Sequence, residues 1–397
     1  MDIHRDHREL GQVLDLFSFH DIAPGAVFWH ANGMVIFRVL EACVRQMNAG
    51  RGYDEIATPT MVKSEVFKKS GHLEHYRNNM FYFKNPVDEN EELVVKPMNC
   101  PGSTYIFNAA TRSYRDMPLR MAEIGRLHRN ELSGTLGGLF RVRELTMDDA
   151  HIYCRPDQAE GEIKDILETI TRFYGVLGLQ PRYILATRPF KFLGSAEDWD
   201  KAEQALKAAL EAVNAKYEMA PGDGAFYGPK IEAHLLDSQG RDWQMGTAQL
   251  DLVMLPKQFE TLYVDHDGIK KMPWVIHRAI FGTFERFIGM LLEHTDGTLP
   301  PWLAPVQAIV LTVSDEYMVY AEEVHAALLS AGVRVKLDTQ NATLAKKIRE
   351  AEIKRIPSII IVGEKEAKDR TVSIRKETKK LGEFLKEIKI TIKIPVI

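Results

Sequence analysis

Cysteine is scarce in this sequence, with only Cys43, Cys100 and Cys154 among 397 residues. An odd and widely spaced set of this size argues against a disulfide framework and is typical of proteins in a reducing compartment. We therefore expect a cytoplasmic protein whose cysteines are buried or bound to a metal.

Long apolar runs are also lacking. No segment approaches the roughly 18 apolar residues that a membrane-spanning helix needs. The charged amino terminus, MDIHRDHREL, has no apolar core like that of a signal peptide. Neither sign of charge dominates, because 51 Lys and Arg face 55 Asp and Glu, for a net charge of -4. Any RNA-binding surface must therefore be a local patch.

The clearest domain boundary is HTDGTLPPWLAP at 294–305, which is rich in turn residues and prolines. We predict two domains, residues 1–299 and 300–397. In the second, the strand-like runs VQAIVLTV, GVRVKLD, PSIIIVG and TVSIRKE are interspersed with helical segments at 315–331 and 343–355. This pattern predicts a smaller α/β domain with a mixed, mostly parallel sheet.

The first 300 residues have a different pattern. Residues 34–50 predict an amphipathic helix that ends at Gly50. YDEIATPTMV predicts a strand in which Pro59 suits an edge or an interface. Further strand-like runs follow with few intervening helices, including ELVVKPMNC, LRMAEIGRLHRN, LFRVRELTMDDAHIYC and KIEAHLLDSQGRDWQMGTAQLDLVML. We predict an α+β domain built on an antiparallel sheet.

The stretch DDAHIYC, residues 148–154, combines carboxylates, a histidine and a cysteine. Side chains of a strand alternate between faces, so Asp149 and His151 share one face and Cys154 lies on the other. A local His–Cys metal site is therefore disfavoured, and metal partners of His151 must come from elsewhere. The alternative is a hydrogen-bonded core histidine.

Cys100 lies in KPMNCPGS, between Pro97 and Pro101. A stiff turn of this kind presents a thiol better than a helix does. The alternative is a small buried hydrophobic residue.

Arginines cluster around a predicted hairpin at 120–151. Arg129 ends its first strand, and Arg141 and Arg143 open its second. Guanidinium groups on facing strands can bind phosphate oxygens in pairs, and Glu131 can accept a hydrogen bond from a base amino group. A solvated, charged hairpin is the alternative.

Residues 276–294 predict a helix with Gly282, Arg286 and Gly289 on one face. Because each glycine costs about 1 kcal/mol relative to alanine inside a helix, two on one face indicate that something packs closely there. The candidates are a ligand of Arg286 and a neighbouring sheet.

Three of these segments resemble motifs 1, 2 and 3 of class II aminoacyl-tRNA synthetases. Motif 1 is the helix and strand ending in ATPTM, motif 2 is LRMAEIGRLHRNE…LFRVREL and motif 3 is GTFERFIG. The ordered matches RDHRELG, PGAVFWH, KPMNCPG, DDAHI, FYGPKIE, GTAQLD, IHRA and WLAPVQ are similar to the threonyl-tRNA synthetase family over roughly residues 4–390.

The resemblance implies an ATP-dependent threonine–tRNA ligase. Such an enzyme forms threonyl-adenylate and pyrophosphate, and then transfers threonine to the 3'-terminal adenosine of tRNA(Thr). ATP with Mg²⁺ is implied to bind at Met98, Arg129, Glu131, Arg141, Val142 and Arg286. Arg129 and Arg286 also have catalytic roles in the family. His72 matches a residue linked to the transfer step, and we expect it to carry a proton near the terminal ribose.

The resemblance also implies a catalytic zinc ion at Cys100, His151 and His277, with an open position for the substrate. The implied threonine pocket consists of Asp149, Tyr227, Lys230, Gln244 and Gln249. Zinc then selects threonine over valine, because valine lacks the hydroxyl group and leaves polar groups unsatisfied.

The second domain is implied to bind the anticodon, at Asn341, Arg349, Arg355, Glu366 and Arg375. The basic helix around 346–355 is compatible with this role, although such a run alone is more often a solvated face. The family also implies a homodimer. Because the family's editing domain is missing from this sequence, we expect either a shortened form of a longer protein or a protein that relies on a separate editing protein in trans.

The family pattern breaks at Met147, Ser103, Leu132, Gly137 and Met245. Met147 and Met245 alter the wall near the amino acid and either tune selectivity or only repack it. The alternative function is a non-catalytic paralogue that binds tRNA-like RNA as a regulator. Such a paralogue is expected to have lost a motif arginine or a zinc ligand, and this sequence keeps them all.

Overall fold

The computed structural model describes residues 5–237, 239–374 and 377–397. Its α-helices are α1 (His7–Val13), α2 (Ala31–Ala49), α3 (Glu65–Lys69), α4 (His72–Tyr76), α5 (Cys100–Asn108), α6 (Ala159–Val176), α7 (Ala196–Ala212), α8 (Met254–Gln258), α9 (Phe284–Thr295), α10 (Met318–Ser330), α11 (Leu344–Ile353), α12 (Glu364–Asp369) and α13 (Leu381–Thr391). None of the helices in this part of the chain has the length and apolar character needed to cross a membrane.

The strands of the first half are β1 (Phe17–Ser18), β2 (Phe28–Trp29), β3 (Asp54–Glu55), β4 (Met61–Lys63), β5 (Phe81–Lys84), β6 (Glu92–Val95), β7 (Arg112–Ser113), β8 (Leu119–His128), β9 (Glu144–Cys154) and β10 (Arg182–Ala186). The later strands are β11 (Tyr217–Ala220), β12 (Lys230–Leu236), β13 (Asp242–Asp251), β14 (Tyr263–Val264), β15 (Lys270–Lys271), β16 (Trp274–Thr283), β17 (Ala308–Thr312), β18 (Val335–Leu337), β19 (Ser358–Val362), β20 (Thr371–Ile374) and β21 (Glu377–Lys380).

The chain divides into two compact units. One consists of Asp21–Ala26, Val44–Ile288 and Ile397, and the other of the described residues before Asp21 together with Val27–Cys43 and Gly289–Val396. The predicted division at residue 299 stays a prediction.

An eight-stranded sheet is the framework of the unit that contains Val44–Ile288. Its strand order is β11-β10-β12-β13-β16-β9-β8-β3. The pairs from β10 to β8 are antiparallel, and only the outer pairs β10–β11 and β8–β3 are parallel. The predicted α+β domain on an antiparallel sheet is therefore confirmed.

The central strands β9 and β16 are buried along nearly their whole length, so both faces of the sheet are covered there. Helix α6 packs against β16. The sequence pattern predicted no helix in this region. The ring of Phe173 on α6 stacks on Phe281 with centroids 5.3 Å apart and lies 5.3 Å from Phe287. These three rings form a fully buried aromatic cluster.

The predicted helix at 276–294 is wrong in its first half, because residues up to Thr283 belong to β16 and α9 begins at Phe284. The carboxylate of Asp148 accepts the N–H groups of Ile280, Phe281 and Gly282 at 2.8 to 3.2 Å. Gly282 has a φ of 82°, and a Cβ there would lie 2.5 Å from the carbonyl oxygen of Met245. Gly282 therefore does not share a helical face with Arg286.

The predicted hairpin is present, but its arginines lie beyond the paired strands. Strand β8 ends at His128 and β9 begins at Glu144, so Arg141 and Arg143 belong to the connecting loop and do not open the second strand. Their side chains bond within this loop, where Arg143 Nε donates to the carbonyl of Glu131 at 2.9 Å. The motif 1 helix, in contrast, forms close to the predicted bounds as α2.

The other unit contains a five-stranded sheet of order β18-β17-β19-β20-β21. Strand β17 pairs in parallel with β18 and β19, while β19–β20 and β20–β21 are antiparallel. The sheet is therefore mixed, as expected, but it is not mostly parallel, because two of its four strand pairings are antiparallel. Val310, Ile360 and Leu328 are fully buried in its core.

We expect Phe173→Ala to lower the free energy of unfolding by about 3 to 5 kcal/mol, because the cavity left between α6 and β16 cannot fill completely. Urea denaturation measures this change. The matched control is Phe190→Ala, because Phe190 is 97% exposed and should change stability by less than about 0.5 kcal/mol. Equal losses for both variants would contradict the packing described above.

The buried Glu285 makes stability depend on pH. Its Oε2 accepts the N–H of Thr146 at 2.9 Å, and burial raises its pKa from 4.5 to about 8. In the unfolded chain this carboxyl ionises near 4.5, so unfolding releases its proton between these two values. The free energy of unfolding should therefore fall as the pH rises through that window.

Glu285→Gln keeps a hydrogen-bond acceptor and removes the titration, so it should flatten this part of the pH dependence. The measurement compares the urea midpoints of the two proteins at pH 5 and pH 8.5. The same loss of stability between these values in both proteins would show that Glu285 is not responsible.

Candidate active site

A cavity of about 620 Å³ lies in the unit built on the eight-stranded sheet. All the residues predicted to bind zinc, ATP or threonine line it, together with the candidate transfer residue: His72, Met98, Cys100, Arg129, Glu131, Arg141, Val142, Asp149, His151, Tyr227, Lys230, Gln244, Gln249, His277 and Arg286. The structure thus brings together residues that are up to 214 positions apart, while their individual roles stay predictions.

The metal candidates meet because of strand register. His151 on β9 lies directly opposite His277 on β16, and their rings are 4.9 Å apart. Cys100, the first residue of α5, completes the group. One potential ligand atom from each residue lies within 4.8 Å of those of the other two. Asp149 lines the same cavity, whereas Cys154 is absent from its wall, as strand alternation predicts.

The donor set suits zinc, which binds thiolate and imidazole ligands. Burial raises the pKa of the Cys100 thiol well above its usual range, and a cation is what stabilises a thiolate in such surroundings. Burial also lowers the pKa of His151, so its imidazole is neutral and can bind a metal. His277 Nε2 lies 3.3 Å from Asp251 Oδ2, a contact of the kind that orients histidine ligands.

Asp251 is itself held firmly. Its carboxylate accepts the N–H groups of Val253, Met254 and Leu255 at 2.7 to 2.9 Å. Sequence reasoning missed Asp251, although a carboxylate just before a short helical turn is a recognisable helix-capping signal.

Several polar residues of the predicted threonine pocket already have hydrogen-bond or ion-pair partners within the protein. Asp149 Oδ2 accepts a hydrogen bond from Asn99 Nδ2 at 3.0 Å. The hydroxyl of Tyr227 donates to Gln249 Oε1 at 3.1 Å, and Gln249 Nε2 donates to the carbonyl of Gly228. Lys230 Nζ lies 2.6 Å from Glu232 Oε1. These bonds fix the side chains before any ligand binds.

Three guanidinium groups, those of Arg129, Arg141 and Arg286, line the same cavity. Burial and, to a lesser extent, the positive charges of Arg129 and Arg141 together lower the pKa of Arg286 to about 10. Arg286 Nε and Nη1 donate to the carbonyls of Phe140 and Gln244, which carry no compensating charge. Arg141 Nε donates to Glu131 Oε2 at 3.0 Å. A polyanion would relieve this repulsion between cations.

His72 lies in the cavity wall but is almost completely buried. Burial lowers its pKa to about 3, and its Nδ1 is 2.8 Å from Ser70 Oγ. The imidazole is therefore neutral at physiological pH. It can accept a hydrogen bond from a ligand but would hold a proton only weakly.

The predicted anticodon residues belong to the other unit. Asn341 and Arg349 are exposed. Arg355 forms an ion pair with Asp296, and Glu366 accepts the N–H of Gly363 and the hydroxyl of Ser373. Arg375 lies outside the described residues.

The basic character of α11 is weaker than its sequence indicates. Lys347 is buried, and its Nζ lies 3.4 Å from Asp338 Oδ1. It therefore adds nothing to an exposed basic face.

Sequence families agree with this architecture. Residues 81–295 match the family described as tRNA synthetase class II core domain (G, H, P, S and T), and residues 307–390 match the anticodon binding domain.

Curated relatives are named threonine–tRNA ligase. That of Natranaerobius thermophilus is 44% identical over 394 residues, which cover 98% of this chain and 61% of the relative. That of Hyphomonas neptunium is 47% identical over 384 residues, which cover 94% of this chain and 58% of the relative. The chain thus spans about three fifths of the length of these relatives.

Solved structures show the same fold. The RNA binding domain of threonyl-tRNA synthetase from Cryptosporidium parvum has a TM-score of 0.93 and 40% identity, covering 98% of both chains. A prolyl-tRNA synthetase from Giardia lamblia has a TM-score of 0.78 but only 16% identity, so it supports the fold alone. The match over the full length of the Cryptosporidium domain, together with the cavity residues, shows that the chain belongs to the threonyl-tRNA synthetase family of class II aminoacyl-tRNA synthetases.

Proposed function

We propose that this protein is a threonine–tRNA ligase that activates threonine with ATP and transfers it to the 3'-terminal adenosine of tRNA(Thr). One observation carries the proposal. A single cavity combines a Cys–His–His cluster, a buried carboxylate and three converging guanidinium groups. The Cys–His–His cluster and the carboxylate suit a small amino acid with a hydroxyl group. The guanidinium groups suit a polyphosphate.

Activation needs no protein nucleophile. The carboxylate of threonine attacks the α-phosphorus of ATP, the bond to the bridging oxygen breaks, and pyrophosphate leaves with Mg²⁺. The protein contributes positioning and neutralisation of charge. Arg129 would hold the α-phosphate, and Arg141 and Arg286 the distal phosphates. The lowered pKa of Arg286 indicates how poorly its charge is compensated before ATP binds.

Adenine would lie against Met98 and Val142, which line the same cavity. Glu131 would accept a hydrogen bond from the adenine amino group. In the transfer step, the neutral imidazole of His72 would accept a hydrogen bond from the terminal ribose of tRNA. Its pKa of about 3 favours this acceptor role over that of a proton carrier.

Cys100, His151 and His277 would hold zinc. When bound, the ion supplies a Lewis-acid position for the amino and hydroxyl groups of threonine. Asp149 would accept the hydrogen bond of that hydroxyl, and Tyr227, Lys230, Gln244 and Gln249 would form the rest of the pocket. Valine would give this buried carboxylate no donor beyond Asn99, whereas serine keeps the hydroxyl and should be rejected less strongly.

We also propose that the protein is a homodimer. Strand β3 of motif 1 ends the eight-stranded sheet and has only β8 as a neighbour among the described strands. The tRNA anticodon would contact the exposed Asn341 and Arg349, with Arg355 and Glu366 available only if their present partners are exchanged.

The alternative is a non-catalytic paralogue that binds RNA. Such a paralogue would not need to keep Arg129 and Arg141 close to Arg286. The repulsion between these cations disfavours the charge of Arg286 unless ATP is bound. All the candidate zinc ligands and motif arginines line the cavity, which favours the enzyme.

Threonine-dependent exchange of pyrophosphate into ATP tests the proposed function. The protein should catalyse exchange with threonine, more weakly with serine, and least with valine. Arg286→Ala should lower kcat by about 10² to 10³-fold, because one preorganised cation is lost at the developing charge. The control is Arg172→Ala, whose side chain is 61% exposed on α6. Absence of exchange with threonine in the unaltered protein would overturn the proposal.

Zinc content tests the metal assignment. The purified protein should contain about one zinc ion per chain, and Cys100→Ser should lose it, because the ion needs all three protein ligands. Threonine binding should weaken with zinc loss, while ATP binding should change less, because none of the candidate phosphate-binding arginines is a zinc ligand. Cys43→Ser is the matched control, since Cys43 is also buried. Full exchange activity in protein nearly free of zinc would rule the assignment out.

A further inference from the structure

The Asp149 carboxylate has a single side-chain hydrogen-bond donor among the described residues. Asn99 Nδ2 donates to its Oδ2 at 3.0 Å. The other oxygen, Oδ1, lies 4.0 Å from His151 Nε2. Asn99 is 1% exposed and does not line the cavity, whereas Asp149 does. Any influence of Asn99 on a ligand must therefore pass through the carboxylate.

Only the Nδ2 atom of the Asn99 amide can form a hydrogen bond with the Asp149 carboxylate. Its Oδ1 is buried and has no hydrogen-bond partner within the described part of the chain. Rotation of the amide by 180° would place this carbonyl oxygen against the carboxylate and replace attraction with repulsion. An unsatisfied buried acceptor costs stability. Stability alone therefore does not account for asparagine here, and the bond to Asp149 is what the side chain provides.

Gly125 on β8 makes room for this amide. A Cβ at Gly125 would lie 2.4 Å from both Nδ2 and Oδ1 of Asn99. Strand β8 is paired with β9 so that Glu123 lies opposite Asp149 and Gly125 opposite Met147. The amide is therefore packed onto the backbone of one strand while it bonds to a side chain of the next.

The segment that carries Asn99 is anchored at its beginning. Lys96 is buried and donates to Glu123 Oε1 at 2.7 Å and to Thr58 Oγ1 at 2.8 Å. Glu123 also accepts the N–H of Thr58. This buried ion pair fixes residues 96–99 against β8. Asn99 is thereby held as a rigid donor, and the next residue, Cys100, begins α5.

We propose that Asn99 is a positioning residue of the amino-acid pocket. By holding Oδ2 of Asp149 it directs Oδ1 toward the hydroxyl group of the bound amino acid. The inference rests on the proposed function and deepens it, because it assigns recognition of the hydroxyl to a pair of residues. Substrates with a hydroxyl group depend on this orientation, and valine does not.

The variants Asn99→Ala and Asn99→Leu test this role. Both remove the donor, and leucine nearly preserves the volume. We expect KM for threonine in pyrophosphate exchange to rise about tenfold, the loss that follows removal of one hydrogen bond to a charged group. KM for ATP, zinc content and the rate with valine should stay within twofold. The threonine-to-valine preference should therefore fall about tenfold.

Asn108→Ala is the matched control. Asn108 is an exposed residue of the same helix region, at the far end of α5, and donates to the carbonyl of Phe259. It should leave all four quantities unchanged.

A double-mutant cycle separates positioning from a general structural effect. In protein that carries Asp149→Asn, the additional Asn99→Ala change should no longer weaken equilibrium threonine binding, because the two residues act as one unit. An undiminished effect in that background would overturn the inference, as would loss of zinc or an unchanged KM for threonine in Asn99→Ala. The proposed function fails separately, if the unaltered protein shows no threonine-dependent exchange.

Discussion

The antiparallel pairing of β9 with β16 is the constraint on which the candidate site depends. It places His151 opposite His277 and turns Asp149 toward the same cavity. Because side chains of a strand alternate, a slip of one residue would turn each of them to the other face. The Asp148 carboxylate stabilises this register by accepting three consecutive N–H groups of β16, where regular pairing ends.

Burial of charge is the second physical theme. Asp148 and Glu285 do not line the cavity, and burial raises their pKa values to about 7 and about 8. For Arg286, burial and two neighbouring arginines lower the pKa and so disfavour its positive charge. The protein keeps these groups at some cost in stability, as is common where function demands a preorganised polar site. Glu285 and Arg286 are adjacent residues at the start of α9, whereas Asp148 lies on β9.

Selectivity in such a site comes from groups whose partners are already fixed. Asp149, Gln249 and His277 each have a defined hydrogen-bond partner without any ligand. A ligand that fails to complete their bonding leaves buried polar atoms unsatisfied, which costs more than an imperfect apolar contact. Asn99 belongs to this logic although it does not line the cavity. Because Asn99 would act through Asp149, it is not among the residues that line the cavity.

Local patterns by themselves determined several features of this protein. Alternation placed Asp149 and His151 on one face, and periodicity predicted α2, while the boundary expected at the proline-rich segment after α9 stays a prediction. The partnership of Cys100 with His151 and His277 came from resemblance, because its spacing follows no local rule. Only the tertiary structure decided that residues 276–283 form a strand, since a segment buried on both faces has no alternation of polar and apolar residues that separates strand from helix. It also decided the roles of Gly125, Asn99 and Asp251, because each depends on backbone or side-chain atoms brought close by strand pairing and packing.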